Sequence, residues 1–187
     1  MLRKGFTLIE ILVVIAIIAI LASISYGPII EFMEKGKEAE AKKVAKDFQI
    51  AITTFQEDYD GNLPYDGTYP DEDTNLTSNN VNFLAVLMGA ESANDINEKE
   101  KPYFTGKNAQ NKRNGFVLNG EVIQGFVDHW GNPYTMRLDY DADKEIDTAL
   151  ITSPTGVYTG KQRIGTAIVA TPGKDNVFND EKDIKSW

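Results

Sequence analysis

The chain has 187 residues, a formal net charge of -9 at pH 7 and no cysteine. The length fits one domain plus an anchoring segment, and the acid excess argues against nucleic acid and against electrostatic adhesion to anionic headgroups, since both need a basic surface. The lack of cysteine removes disulfides, thiolate metal sites and cysteine nucleophiles together, so an exported domain would have to gain rigidity elsewhere, a bound metal being one route.

In chain order, the first element is the apolar run Phe6–Tyr26 (FTLIEILVVIAIIAILASISY), whose single charge is Glu10. At about 1.5 Å per residue this run spans roughly 31 Å as a helix, the thickness of a bilayer core. Arg3 and Lys4 precede it, so the positive-inside rule keeps the short N-terminus cytoplasmic and exports the remainder. Two plain readings compete. A secretory signal would have Ile20-Leu21-Ala22 as a poor cleavage site, and its apolar run would be shorter. A simple single-pass anchor explains everything except Glu10, because a carboxylate at bilayer depth costs on the order of a few kcal/mol.

Gly27-Pro28 predicts a kink or local melting at the end of the membrane part, because proline lacks a donor and disturbs the preceding turn. Beyond it, Ala41, Val44, Ala45, Phe48, Ala51, Ile52, Phe55 and Tyr59 recur at steps of three and four, one face of an amphipathic helix. Asp60-Gly61-Asn62 and Pro64 end that helix, giving a rod of roughly 80 Å from Phe6 to Tyr59.

The polar stretch Leu63–Asn80 reads as a loop, and Val81–Met88 as one or two helical turns capping the spine. Glu91–Asn114 reads as irregular. Gly115–Leu118 and Glu121–Val127 alternate around Asn119-Gly120, a hairpin signal. Tyr134–Leu138, Ala149–Thr152 and Thr166–Ala170 are further strand candidates. The fold class that follows is α+β, a long N-terminal helix packed on a small antiparallel sheet. Asp139, Asp141, Asp143 and Asp147 resemble the start of an EF-hand loop. Lys144 stands where that loop needs glycine and Leu150 where it needs a bidentate glutamate, so the cluster reads as an exposed acidic turn.

Three segments carry a family resemblance. Arg3-Lys4-Gly5-Phe6-Thr7-Leu8-Ile9-Glu10 resembles the processing site of type IV pilins and type II secretion pseudopilins. It implies cleavage after Gly5 by a prepilin peptidase, methylation of the new amine of Phe6, and contact between Glu10 and the N-terminal amine of a neighbouring subunit. Phe6 and Glu10 are also four apart, so pairing within one helix stays open. Asp128-His129-Trp130-Gly131-Asn132-Pro133-Tyr134 is similar to a major-pseudopilin segment ending in Trp-Gly-Asn-Pro-Tyr. His129, where that segment has proline, is the only histidine and reads as a loop residue with no nucleophile or ligand spacing around it. The tail from Thr171 to Trp187 resembles the calcium loop of major pseudopilins at Gly173, Asp175, Asp183, Ile184 and Trp187. That resemblance implies Ca2+ on Asp175 and Asp183, with Asp180 and Glu181 in reserve, while Lys182 replaces a small or acidic residue.

The resemblance covers about Leu2–Pro64 and Phe126–Trp187. It implies a leader (1–5), a transmembrane and filament-core helix (6–26), its amphipathic continuation (27–62) and a periplasmic pilin-like domain with a C-terminal metal loop (63–187). The expected function is structural: a homopolymer in a type II secretion pseudopilus, anchored in the bacterial inner membrane and driving protein secretion across the outer membrane. Its expected partners are the prepilin peptidase, the inner-membrane secretion platform and minor pseudopilins. A type IV pilin for adhesion, motility or DNA uptake is the nearest alternative, and a membrane-tethered periplasmic domain of unknown activity the next. No Ser-His-Asp, zinc or glycosidase constellation assembles from one histidine and scattered acids, so an enzyme is not expected.

Overall fold

A computed structural model describes residues 5–64, 74–140, 142–147, 161–162, 165–178 and 182–187. The chain divides into two compact units, Met1–Lys37 and Glu38–Trp187. One helix, α1 (Leu8–Asp58), contributes to both.

In the first unit the helix is apolar and uncovered. Side chains from Phe6 and Leu8 through Ile15, Leu21 and Ile30 to Met33 are exposed, and the segment is long and apolar enough to cross a membrane. Pro28 lies inside α1 and the helix continues through it, so the expected local melting is not found. A proline removes one donor, and the helix resumes beyond that gap.

The second unit starts where α1 acquires a covered face. Ala41, Ala45, Phe48, Ala51, Ile52 and Phe55 are buried, the periodic stripe expected from the sequence, with Val44 and Tyr59 half-buried. After Asp58 the chain turns through Asp60 and Gly61, both at positive φ. The Gly61 N–H reaches back to the Gln56 carbonyl at 2.9 Å, the six-to-one bond of a Schellman cap.

Against this face lies a four-stranded sheet in the order β1 (Thr74–Thr77), β4 (Thr135–Leu138), β7 (Ala167–Thr171), β8 (Ile184–Lys185), every pair antiparallel. Two smaller antiparallel pairs accompany it: the hairpin β2 (Gly115–Asn119) with β3 (Val122–Val127), and β5 (Ile146–Asp147) with β6 (Lys161–Gln162). The α+β architecture is therefore as expected, and the hairpin forms around Asn119-Gly120. Strand β1 corrects the reading of Leu63–Asn80 as loop throughout. Its polar text, TNLT, suits an edge position, with Leu76 buried in the core. The candidate strand Ala149–Thr152 lies outside the described residues.

The short helix α2 (Val81–Met88) forms as expected. Asn80 caps it by accepting the Phe83 N–H, and Gly89 closes it in the left-handed conformation. Its Phe83, Leu84 and Leu87 join Phe48, Phe104, Phe116, Phe126, Tyr134 and Met136 in one core. Phe48 is the centre of an aromatic group, stacked on Phe104 at 3.8 Å between ring centroids and edge-on to Phe126 at 5.6 Å.

The stretch expected to be irregular, Glu91–Asn114, is held by a few specific bonds. Buried Asn97 donates to the Val86 and Lys101 carbonyls, both at 2.8 Å, and accepts from the Tyr59 hydroxyl at 2.9 Å. Ser78 joins three strands: its hydroxyl donates to the Phe126 carbonyl and accepts the Tyr134 N–H at 2.8 Å. Next to it, Gly125 has φ +155, and a Cβ there would run into Asn79.

Phe48→Ala would remove the ring that α1 shares with the loop and the hairpin. Its expected cost is about 3–5 kcal/mol, read as a lower midpoint in thermal or urea unfolding.

Candidate functional site

Three places correspond to the segments singled out in the sequence. At the first, Thr7 is the N-cap of α1, and its pairing with Glu10 is reciprocal. Glu10 Oε2 accepts the Thr7 backbone N–H at 2.7 Å and the Thr7 hydroxyl at 2.8 Å, while the Glu10 N–H approaches Thr7 Oγ1 at 3.3 Å. This is the geometry of a capping box, which satisfies helix-end donors from within the chain. Sequence reasoning weighed two amine partners for Glu10 and missed Thr7. The signal was present, since Thr-x-x-Glu ahead of an apolar run is the capping-box pattern. Gly5 and Phe6 precede the helix, exposed. Arg3 and Lys4 lie outside the described residues.

The second place is the turn after β3. Asp128 is buried, and its Oδ1 accepts the backbone N–H groups of Trp130, Gly131 and Asn132, each at 2.8 Å. Its Oδ2 accepts the Thr171 hydroxyl at 2.7 Å. One carboxylate therefore shapes the Trp-Gly-Asn-Pro-Tyr turn and ties it to β7. Gly131 supplies the positive φ of +97° that the turn requires. Tyr134 is buried in the core, and Trp130 is half-buried beside His129.

The same turn is clamped to α1 by Glu40. Glu40 Oε1 accepts from Lys107 Nζ at 2.8 Å and Asn114 Nδ2 at 3.2 Å, and Oε2 stands 2.7 Å from His129 Nε2. The ammonium of Lys107, helped by His129 and Asn114, holds the Glu40 carboxyl down to about 2 against partial burial, which acts the other way. Nothing in the local text marks Glu40, because its partners lie 67 to 89 residues away.

The third place is the C-terminal loop. Gly173–Asp175 forms a 3-10 turn, followed by Asn176 in the left-handed region. Asp175 Oδ1 accepts the Val177 N–H at 3.2 Å, and its Oδ2 is 3.3 Å from Lys182 Nζ. Asp183 is buried beside Ile184, which pairs with Thr171. Asn132 donates to the Gly173 carbonyl at 2.7 Å, joining the second place to the third. Trp187 packs half-buried on Ile146, Ile168 and Ala170. Asp180 and Glu181 lie outside the described residues. Among the described residues no three carboxylate or imidazole groups gather around one point. The donors on hand, two carboxylates and loop carbonyls, are hard oxygens that suit calcium rather than a transition metal. Lys182 is a cation already seated at one of them.

The cluster Asp139–Asp147 turns its described carboxylates on its own backbone. Asp139 Oδ2 accepts the Lys144 N–H at 2.9 Å, and Asp143 Oδ1 accepts the Glu145 N–H at 2.6 Å. It is a turn, as expected, but Asp139 is buried rather than exposed, because its N–H continues the β4–β7 pairing by bonding the Thr166 carbonyl at 3.0 Å. Asp141 lies outside the described residues, as does the side chain of Asp147.

The Glu40 clamp sets a pH dependence. A carboxyl whose folded value is held near 2, below the ordinary 4.5, contributes stability present above pH 4.5 and lost as pH falls towards 2. Glu40→Gln should flatten the fall in melting temperature between about pH 5 and pH 2, and lower the midpoint at pH 7. Melts at a series of pH values check this.

The family described as "Prokaryotic N-terminal methylation motif" matches residues 1–26. Among curated proteins, the type IV major pilin protein PilA of Myxococcus xanthus (strain DK1622) is 43% identical over 53 residues, which cover 28% of this chain and 24% of that protein. The match thus spans about a quarter of that relative's length. No solved structure matches. With a methylation motif at the head of an uncovered apolar helix, and with that helix continuing as the spine of an α+β unit, the chain is similar to type IV pilins over its N-terminal segment.

Proposed function

We propose that the chain is a non-enzymatic structural subunit of a type II secretion pseudopilus. The observation that carries this reading is the methylation motif on an apolar helix that none of the described residues covers. Prepilin peptidase removes residues 1–5 after Gly5, the freed amine of Phe6 is methylated, and Glu10 meets the amine of a neighbouring copy. Before assembly the subunit is a single-pass protein of the inner membrane, its N-terminus cytoplasmic and its globular unit periplasmic. Leaving lipid would expose apolar surface at about 25 cal/mol per Å2, so extraction and coverage by neighbouring helices are coupled. The work comes from the inner-membrane platform and its motor, minor pseudopilins accompany the homopolymer, and growth of the filament moves exoproteins outward. The cysteine-free chain and the Trp130–Tyr134 turn support a pseudopilin. A second reading, a type IV pilin for adhesion, motility or DNA uptake, is favoured by the likeness to the Myxococcus pilin.

Intact-mass analysis of the protein from its native membrane should show a chain beginning at Phe6 and carrying one methyl group. Retention of the first five residues would remove the filament reading. Deleting the gene separates the two filament classes: loss of exoprotein secretion with surface fibres intact supports the first, and the reverse supports the second.

We further propose that Asp175 and Asp183 hold Ca2+, completed by loop carbonyls, Asp180 and Glu181. A bound calcium takes about six to eight oxygens and would cross-link the tail to the sheet. To do so it must displace the Lys182 ammonium from Asp175. Millimolar calcium should therefore raise the melting temperature, and more so in Lys182→Ala. A midpoint indifferent to calcium and to chelator in both proteins would dismiss the site.

A further inference from the structure

The globular unit carries its charge unevenly along α1. Near the start of its helix, Lys42 and Lys46 are exposed and one turn apart. They continue the flank on which Gln49 donates to the Ala167 carbonyl at 2.8 Å and Gln56 accepts the Thr166 hydroxyl at 2.6 Å. Strand β7 runs back along that flank, and Ala170 pairs with Lys185 of the edge strand β8. Partial burial, together with the nearby charge of Lys42, holds the Lys185 ammonium below the ordinary lysine range. On the other flank, Lys112 and Arg113 are exposed in the tight turn next to Asn114, which reaches Glu40. A lysine on a sheet edge can serve simply to block strand pairing. That explains Lys185 alone, and not the four other cations gathered at the same end.

The far end of the unit is the reverse. Ala93 and Ile96 pack on Phe55 and Tyr59, which brings exposed Glu91, Asp95, Glu98 and Glu100 to the end of α1 beside exposed Glu57 and Asp60. The two lysines of this segment are already engaged. Lys99 Nζ donates to the Asp58 carbonyl and Lys101 Nζ to the Asp58 carboxylate, both at 2.5 Å.

We propose that globular units associate head to tail, the basic end of one copy (Lys42, Lys46, Lys185) docking on the acidic end of a second copy (Glu91, Asp95, Glu98). The occupant follows from charge complementarity: the same chain presents both halves, at the two ends of the part of α1 that lies in the globular unit, and a basic end is the exception in a protein of net charge -9. A contact between unlike patches is heterologous, so it propagates into a ring or an open polymer instead of ending at a dimer. The polarity steers incoming subunits and orients them, and it weakens as salt screens exposed charges.

This inference rests on the filament reading, and the test separates the two. Filaments sheared from cells are quantified for the wild type, for Lys42→Glu/Lys46→Glu, and for that variant co-expressed with a Glu91→Lys/Asp95→Lys/Glu98→Lys copy. All these positions are exposed, and an unchanged melting temperature verifies the fold. The expected result is a drop of about tenfold in filament yield for the first variant, recovered by the second. Since the chain has no native cysteine, Lys46→Cys/Asp95→Cys in one chain gives a second readout, a ladder of disulfide-linked oligomers. Wild-type yield from the Lys42→Glu/Lys46→Glu variant, or a ladder that stops at dimers, overturns the head-to-tail contact while leaving the filament reading intact. Loss of binding to anionic vesicles with assembly unchanged would assign the basic end to a membrane and overturn it equally. A wild type that forms no filament at all fails the underlying reading instead.

Discussion

The apolar surface of the first part of α1 must be covered, and none of the described residues covers it. From Phe6 to Met33 the large apolar side chains stand exposed, a condition water penalises in proportion to area. From Ala41 onward the same helix meets the same demand internally, with the sheet and α2. One continuous helix thus serves two environments, and the change falls near Glu38, where the globular unit begins. Lipid can cover the first part, and so can copies of the helix itself. Anchoring and polymerising are therefore alternative ways of satisfying one constraint.

That constraint explains the placement of Glu10. Were that helix end surrounded by lipid, the Thr7 N–H would have no water to bond, and a donor left alone there is costly. Glu10 supplies the acceptor from within the chain. A carboxylate has about four lone-pair sites, so the oxygen turned to Thr7 leaves capacity for an ammonium from elsewhere. Capping and contact with an amine are compatible, and each keeps the charge from being buried alone.

The globular unit contains no disulfide, and its loops are tied by buried polar groups of high valence. Asp128 binds three consecutive N–H groups and a hydroxyl. Asn97 serves Val86, Lys101 and Tyr59, and Ser78 links three strands. Each such group would be expensive if left partly bonded and is fully used here. Periodicity made the covered face of α1, the helix α2 and the β2–β3 hairpin legible, because those signals lie within ten or twenty residues. The edge strand Thr74–Thr77 was not legible, since a short polar segment becomes a strand only when β4 offers its free edge. Glu40 and Ser78 were invisible for the same reason: their partners are distant in sequence. Thr7 was legible from its spacing to Glu10 and was overlooked beside the more conspicuous charge.

The clamp at Glu40 has a mechanical side. Any pull applied through the N-terminal helix enters the globular unit at Glu38, two residues before the carboxylate that grips Lys107, Asn114 and His129. Tension is therefore passed at once to the loop before β2 and to the turn after β3, and Asp128 hands it on to β7. A pull on the stem would therefore load the loop before β2, the turn after β3 and β7 together, through bonds that converge on Glu40 and Asp128.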